Sequence, residues 1–263
     1  MTTVRRLGWR ACYELLASRI PAPDWAFMNY GYAPLGPEAT RLRLEPADEP
    51  DRLCIQLYEH AVAEVDLSGL DVLEVGSGRG GGSSYLARYR RPHSMTGLDF
   101  SARAVALSRR HRRAPGLSFV RGDAQSMPFG DGRFDAVVNV ESSHCYSSMP
   151  RFLAEVRRVL RPGGSLYFAD FRSRDAAAEL GTEIARSGLR LVREGDITAN
   201  VLAALELDNA RKLALIDELV PRLVRRSFRA FAGVRGTKMH AGFQSGTLRY
   251  LTAQTTRPSG RGR

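Results

Sequence analysis

Five short apolar runs between residues 70 and 171 constrain this chain more than any other feature. They are "LDVLEVG", "HSMTGLDF", "LSFVRGD", "FDAVVNV" and "SLYFADF". Helix-patterned stretches, "GSSYLARYR", "SARAVALSRRHRR" and "MPRFLAEVRRVL", separate most of them. Strands alternating with helices at this pitch argue for βαβ units and a parallel sheet. The stretch Arg161-Pro162-Gly163-Gly164 reads as a turn that stops a helix before the fifth strand.

The flanks are less regular. Residues 5–19 have an amphipathic pattern, with Leu7, Ala11, Leu15 and Leu16 near one face. A proline-, glycine- and aromatic-rich segment follows, then a helix over 51–65 with Asp51 as a candidate N-cap. "LRLVREGDIT" (189–198) reads as a sixth strand, residues 199–232 as helical, and "GTLRYLTAQTTRP" as a last strand before a disordered "SGRGR". No repeat or long linker interrupts the chain, which implies one α/β domain with capping segments. The expected parts are an N-terminal helical cap and lid segment (1–65), a cofactor-binding core (66–198), a helical lid insertion (199–245), and a last strand with its tail (246–263).

The net charge of +11 invites a nucleic-acid reading. The arginines, however, are spread along the whole chain, as solvated helix faces would have them. Three cysteines at no metal-like spacing suit a reduced, cytoplasmic protein without a zinc site. No run approaches the roughly eighteen apolar residues of a membrane span, and the first twenty residues lack a signal peptide's apolar core.

"LEVGSGRGGG" places Gly76, Gly78, Gly80 and Gly81 between a strand and a helix, where a ligand can approach the backbone without meeting a Cβ. Asp99 ends the second strand, 21 residues after Gly78, at the place where a carboxylate accepts from ribose hydroxyls. Both features serve dinucleotides and other nucleosides alike. Glu74, two residues before Gly76, favours the latter, since it would repel a pyrophosphate. "GDAQSMPF" adds Asp123 after the third strand, placed to accept from an adenine amino group.

Together the acid-glycine turn, the second-strand acid, the Gly-Asp-Ala step and "RVLRPGGSLYFADF" resemble class I S-adenosylmethionine-dependent methyltransferases over about residues 66–172. "RGGGSSYLAR", "GLSFVRGDAQSMPF", "NVESSHCY" and "RFLAEVRRVLRPGG" are similar to the phthiotriolone dimycocerosate methyltransferases, and "FMNYGY" and "GTLRY" extend the likeness. The rebeccamycin sugar O-methyltransferases share the general plan. The resemblance implies a Rossmann-like sheet of seven strands, six parallel and one antiparallel, flanked by helices and covered by a helical lid. It also implies S-adenosylmethionine as cofactor, S-adenosylhomocysteine as product, and a secondary metabolite or lipid as acceptor. The cofactor-binding set expected on this reading is Tyr30, Glu74, Gly76, Gly78, Gly80, Asp99, Phe100, Asp123, Ala124 and Asn139.

Methyl transfer from a sulfonium is an in-line displacement, and a hydroxyl acceptor needs a base because it is a poor nucleophile while protonated. Strand four ends near Asn139-Val140, so Glu141 to Tyr146 enter the ligand crevice, and strand five ends at Asp170. In the methyltransferase strand order these strands are neighbours, about 4.8 Å apart. His144 and Asp170 are therefore the expected catalytic pair, the carboxylate raising the imidazole's basicity and fixing its tautomer. In the rebeccamycin-type enzymes histidine and aspartate at matching positions are the proposed pair. Glu141 and Tyr146 are expected at the acceptor, Glu141 alternatively at the cofactor's amino group or as a loop anchor. Ser142 and Ser143 are expected as local backbone partners and Cys145 as a small buried hydrophobe.

His60, His93, His111 and His240 have no comparable setting, and no metal triad is legible. Four rival readings stay open at this stage: methylation of an amine, a nucleic-acid methyltransferase, a cofactor-binding cyclase that does not methylate, and a dehydrogenase. Against the nucleic-acid reading, strand four lacks an Asn/Asp-Pro-Pro-aromatic motif.

Overall fold

β1 (Asp71–Val75) is buried along its whole length and pairs in parallel with β2 (Ser94–Asp99) and β4 (Phe134–Val140). Alternation sends Val72 into one core layer and Leu73 and Val75 into the other, the two-sided burial that a helix-covered parallel sheet requires. β3 (Leu117–Arg121) lies beside β2, and β5 (Leu160–Ser173) beside β4. β7 (Leu248–Thr256) fits between β5 and β6 (Arg190–Asp196), antiparallel to both. The resulting order is β3-β2-β1-β4-β5-β7-β6, so six strands share one direction, as expected. This is a computed structural model, and it describes residues 25–36 and 42–259.

The helices are α1 (Arg52–Val62), α2 (Gly81–Tyr85, prolonged by a π-helical turn over Leu86–Arg90), α3 (Ala102–His111), α4 (Met149–Val159), α5 (Arg174–Arg186), α6 (Thr198–Leu219), α7 (Arg225–Phe231) and α8 (Lys238–Ser245). Hydroxyl side chains cap four of them: Ser101, Ser148, Ser173 and Thr237 each accept a first-turn N–H, worth about 1 kcal/mol apiece. α4 shows why such a sequence is helical. Phe152, Leu153, Val156 and Val159 recur on one face and are wholly buried against the sheet. Phe152→Ala would cost about 3–5 kcal/mol there. Among the described residues no helix is long and apolar enough to cross a membrane.

Local expectations change in two places. Asp51 precedes α1, which ends at Val62, but its carboxylate does not cap the helix; it accepts from Arg211 of α6 at 3.2 Å. Arg161–Gly164 do not form a turn. β5 begins at Leu160, directly after α4, and bulges so that Leu160 faces Phe134 and Ser165 faces Ala136. The bulge is paired at long range: Gly163 donates to the Arg257 carbonyl and Arg257 to the Gly164 carbonyl, both at 2.8 Å. The amphipathic segment 5–19 and residues 260–263 of the tail lie outside the described residues.

Strand order reverses between β1 and β4, so the ligand crevice of this sheet lies over their carboxyl ends. Residues 25–33 run across that end. Tyr32 donates to the Leu53 carbonyl (2.9 Å), Ala33 to that of Asn200 in α6 (3.2 Å), and Trp25 sits edge-on to Phe228 of α7 at 6.3 Å. The segment is thereby fastened to both α1 and the α6–α7 region.

Candidate active site

The glycine turn after β1 is built for close approach. Gly76 and Gly78 have φ of 78° and 54°, backbone that favours glycine. A Cβ on Gly76 would also collide with the Ser142 side chain, so the turn and the loop after β4 touch where only a hydrogen fits. Gly76 and Ser77 both donate to the Leu98 carbonyl (2.8 and 2.9 Å), and Gly78 donates to Asp99 Oδ2 at 2.8 Å. Asp99 Oδ1 accepts from Ser101, so this carboxylate braces the turn and the start of α3 together.

Glu74 lies beneath the turn. Its side chain points into the layer of α1, where it accepts from Tyr58 at 2.6 Å and from Ser83 of α2. Burial pushes its carboxyl up to about 7 against these two hydrogen bonds. Asn139 has a similar supporting place, its Nδ2 donating to the Val75 carbonyl (2.8 Å) and to Ser142 Oγ (2.8 Å).

Beyond β4 the chain turns sharply at Glu141, a non-glycine residue with φ of 48°. The strain, of order 1–3 kcal/mol, is held by Glu141 donating to the Ala169 carbonyl at 2.7 Å. The Glu141 carboxyl accepts from the Tyr30 main-chain N–H (2.8 Å) and the Tyr250 hydroxyl (2.9 Å). Burial raises it to about 8, more than these donors and the nearby His144 lower it.

A short 3-10 turn, Ser143–Cys145, then brings His144 against Asp170. Asp170 Oδ1 stands 2.9 Å from His144 Nδ1, and Oδ2 accepts from the His144 main-chain N–H at 2.9 Å. Ser143 Oγ also donates to Oδ2 (2.5 Å), and the Arg172 guanidinium lies 3.4 Å away. Asp170 is fully buried, which alone would raise its pKa; His144, Arg172 and the hydrogen bonds reverse that and hold it well below the usual carboxylate range. An ionised carboxylate only accepts, so Nδ1 carries a proton. Burial alone would depress His144, but the Asp170 charge lifts it well above 6.5.

Two cavities meet here. One, of about 190 Å³, is bordered by residues 26–30, the glycine turn, Asp99–Ser101, Glu141, Ser142, His144, Cys145 and Phe231. The other, of about 700 Å³, opens beyond His144 between α4, β5, α5 and α8. Of the expected set, Tyr30, Gly76, Gly78, Asp99, Phe100, Glu141 and His144 line the first cavity. Tyr146 faces the second, while its hydroxyl bonds Ser142 Oγ at 2.8 Å. Glu74 and Asn139 lie behind the walls. Gly80 is turned to Phe119. Asp123 is engaged with its own loop, accepting from Gln125 at 2.9 Å, and neither it nor Ala124 borders either cavity.

Several members were not foreseen. Ser143 is no mere backbone partner, and the β4–β5 adjacency that pairs His144 with Asp170 was the signal for it. Arg172, Tyr58 and Tyr250 carry no local signal. Cys145 is half-buried in the cavity wall rather than a core hydrophobe, with its thiol against the His144 ring. His240 does have a carboxylate partner, Glu206 at 2.6 Å, in the α6–α8 region. Among the described residues no group of three His, Cys, Asp or Glu is placed to hold a metal.

Known proteins resemble this chain in sequence and in fold. A family described as methyltransferase domains matches residues 73–168. The phthiotriol/phenolphthiotriol dimycocerosates methyltransferase of Mycobacterium leprae is 41% identical over 249 residues, covering 95% of this chain and 92% of the relative. The fatty-acid O-methyltransferase of Mycolicibacterium smegmatis is 40% identical over 225 residues, covering 84% and 80%. Among solved structures, the [4+2]-cyclase SpnF superposes with a TM-score of 0.70 at 20% identity, covering 95% and 96%, a likeness of fold alone. With a relative so similar along nearly its whole length, and with this sheet, turn and crevice, the chain belongs to the S-adenosylmethionine-dependent methyltransferases.

Proposed function

We propose that this enzyme transfers the methyl group of S-adenosylmethionine to a hydroxyl oxygen of a lipid-like small molecule, with His144 as general base and Asp170 as its orienting partner. The observation that carries this reading is the 2.9 Å contact between His144 Nδ1 and Asp170 Oδ1, made by a ring that borders both cavities. Two relatives, named for a phthiotriol and for the O-methylation of a fatty acid, support a lipid-like acceptor methylated on oxygen.

The smaller cavity suits the cofactor. The Gly76 and Gly78 backbone is approachable, and the Asp99 carboxylate stands at its edge, where ribose hydroxyls donate. The Phe100 ring, 49% exposed, offers a face to the purine. Asp123 and Ala124 would meet only the far edge of that base. Tyr30 and Glu141 close the opposite end, while Glu74, Gly80 and Asn139 keep the turn in shape. Bound there, S-adenosylmethionine supplies a methyl group on a sulfonium, an electrophile that needs no further activation.

The protein's task is then alignment and one proton. With Nδ1 committed to Asp170, His144 takes the acceptor's hydroxyl proton at Nε2. Ser143 and Arg172 keep Asp170 ionised, so the positive charge gained by the imidazole stays compensated. Tyr146 borders the acceptor side. The test is label transfer from methyl-labelled S-adenosylmethionine to long-chain diols, hydroxy acids and amines, with wild type and His144→Ala. Transfer to hydroxyls that collapses in the variant is expected. Transfer to amines alone, indifferent to His144, would overturn the assignment.

A further inference from the structure

The cofactor cavity is too small to hold a lipid as well, and the small pocket adjoining it under Trp25 and Phe231 adds only about 30 Å³. The cavity beyond His144, at about 700 Å³, is within the size range of ligand sites, roughly 300–1,000 Å³. Among the described residues His144 is the one that lines both this groove and the cofactor cavity. An in-line displacement puts nucleophile and leaving group on opposite sides of the moving carbon, and the base must touch the nucleophile. A base standing in the wall between two cavities meets that requirement only if they hold the two reactants separately.

Resting on the methyltransferase reading above, we infer that this groove is the acceptor site and that it takes an uncharged amphipathic chain, hydroxyl end first, with the chain lying outward along α5 and α8. At the inner end His144 stands beside Ser143 and the Tyr146 ring; the two hydroxyls are already bonded, Ser143 to Asp170 and Arg172, and Tyr146 to Ser142 and Asn139. Phe171, Met149, Met239 and Leu248 follow as an apolar wall, with thioethers that adapt to an irregular chain. The cation at the inner end is already engaged. Arg172 donates to Ser143 Oγ at 2.7 Å and stands 3.4 Å from Asp170. At the outer wall Glu179 and Glu183 lie one turn apart on α5, against Lys238 alone on α8. A carboxylate-headed chain entering past them meets two like charges and, among the described residues, finds no uncommitted cation inside. A neutral hydroxyl needs no cation, is not repelled by the two carboxylates, and can donate to His144 Nε2.

Methionine methyl groups report each compartment. Met28 borders the cofactor cavity, Met149 and Met239 border the groove, and Met95 and Met127 are core residues at 0% and 4% exposure. The full chain, labelled with 13C at its methionine methyls and assigned by Met→Leu substitution, is titrated with S-adenosylhomocysteine and then with 1,2-dodecanediol or dodecanoate. S-adenosylhomocysteine is expected to move Met28. The diol is expected to move Met149 and Met239 saturably, and to bind at least tenfold more tightly than dodecanoate. Met239→Trp, which fills the groove, should weaken diol binding at least tenfold while S-adenosylhomocysteine affinity stays within threefold. Diol shifts confined to Met28, no saturable shift in any methyl, or dodecanoate binding as tightly as the diol at Met149 and Met239 would each overturn the inference. The titration reads binding without turnover, so failure of the His144 assignment would leave these shifts in place.

Discussion

Asp170 holds His144 at two points, by the main-chain N–H and by Nδ1, each at 2.9 Å. One carboxylate therefore fixes both where the residue sits and which ring nitrogen carries the proton. Asp170→Asn preserves the shape and removes the charge, leaving burial as the dominant influence on His144. The acidic limb of the pH–rate profile, set by the base losing its proton, should then move to lower pH, because the charge that raised the imidazole is gone. Turnover should fall about 10²–10⁴-fold, with S-adenosylhomocysteine affinity nearly unchanged. A limb that stays in place in this variant would remove Asp170 from its role.

The same pair ties stability to pH. His144 is raised above 6.5 in the fold, so its contribution is complete below pH 6.5 and is lost as pH climbs through the raised value. Asp170 is depressed below 3.8, so its contribution is present above that pH and is lost as pH falls toward the folded value. The melting-temperature gap between wild type and His144→Ala should accordingly be widest between 3.8 and 6.5. It should correspond to about 3 kcal/mol. A gap that widens steadily above pH 8 would contradict this pairing.

Glu141 makes an opposite demand. Its carboxyl is raised from 4.5 to about 8, so the fold prefers it neutral, and stability is lost as pH rises between those values. Glu141→Gln retains an acceptor oxygen for Tyr30 and Tyr250 without the charge. The variant should match wild type near pH 4.5 and exceed it by up to about 3 kcal/mol at pH 7, as read by chemical denaturation at the two pH values. Equal stability at both would mean that the carboxyl is ionised in the fold.

Gly76→Ala combines two penalties, a Cβ at φ of 78° and a collision with Ser142. We expect a loss of about 3 kcal/mol or more, with about 1–2 of it from backbone strain. Adding Ser142→Gly removes the obstacle and should recover the remainder, a coupling that a double-mutant cycle measures. Additive losses would show that the turn and the β4 loop do not press on one another.

What was legible in the sequence was whatever lies within one strand and its next turn. β4 spans Phe134–Val140, the run "FDAVVNV" that reads as a strand because its apolar residues cluster and its exit is polar. The glycine turn was legible for the same reason. His144 and Asp170 needed one further step, the knowledge that strands four and five are neighbours. The rest depended on partners far along the chain. Arg161–Gly164 look like a turn until Arg257 pairs with them, and Asp51 looks like a cap until Arg211 takes its carboxylate. Tyr58 reaches Glu74 only because α1 folds over β1, and no spacing in either segment announces it. Asp123 has the spacing of an adenine partner, yet its side chain is engaged by Gln125 two residues away.

β7 occupies the slot between β5 and β6, and among the described residues β6 has no other neighbour in the sheet. During synthesis β6 therefore emerges before the strand that will hold it, and waits for the intervening helices to be made. Tyr250, on β7, also supplies one of the two hydrogen bonds that seat Glu141, and Glu141 in turn seats Tyr30. Residues 25–33 leave the ribosome early, but their fastening over the crevice is completed only after β7 has slid into place. A nascent chain stalled before residue 248 would carry the glycine turn and the His144–Asp170 pair under a clasp still missing its Tyr250 anchor, an enzyme whose chemistry is finished before its door is latched.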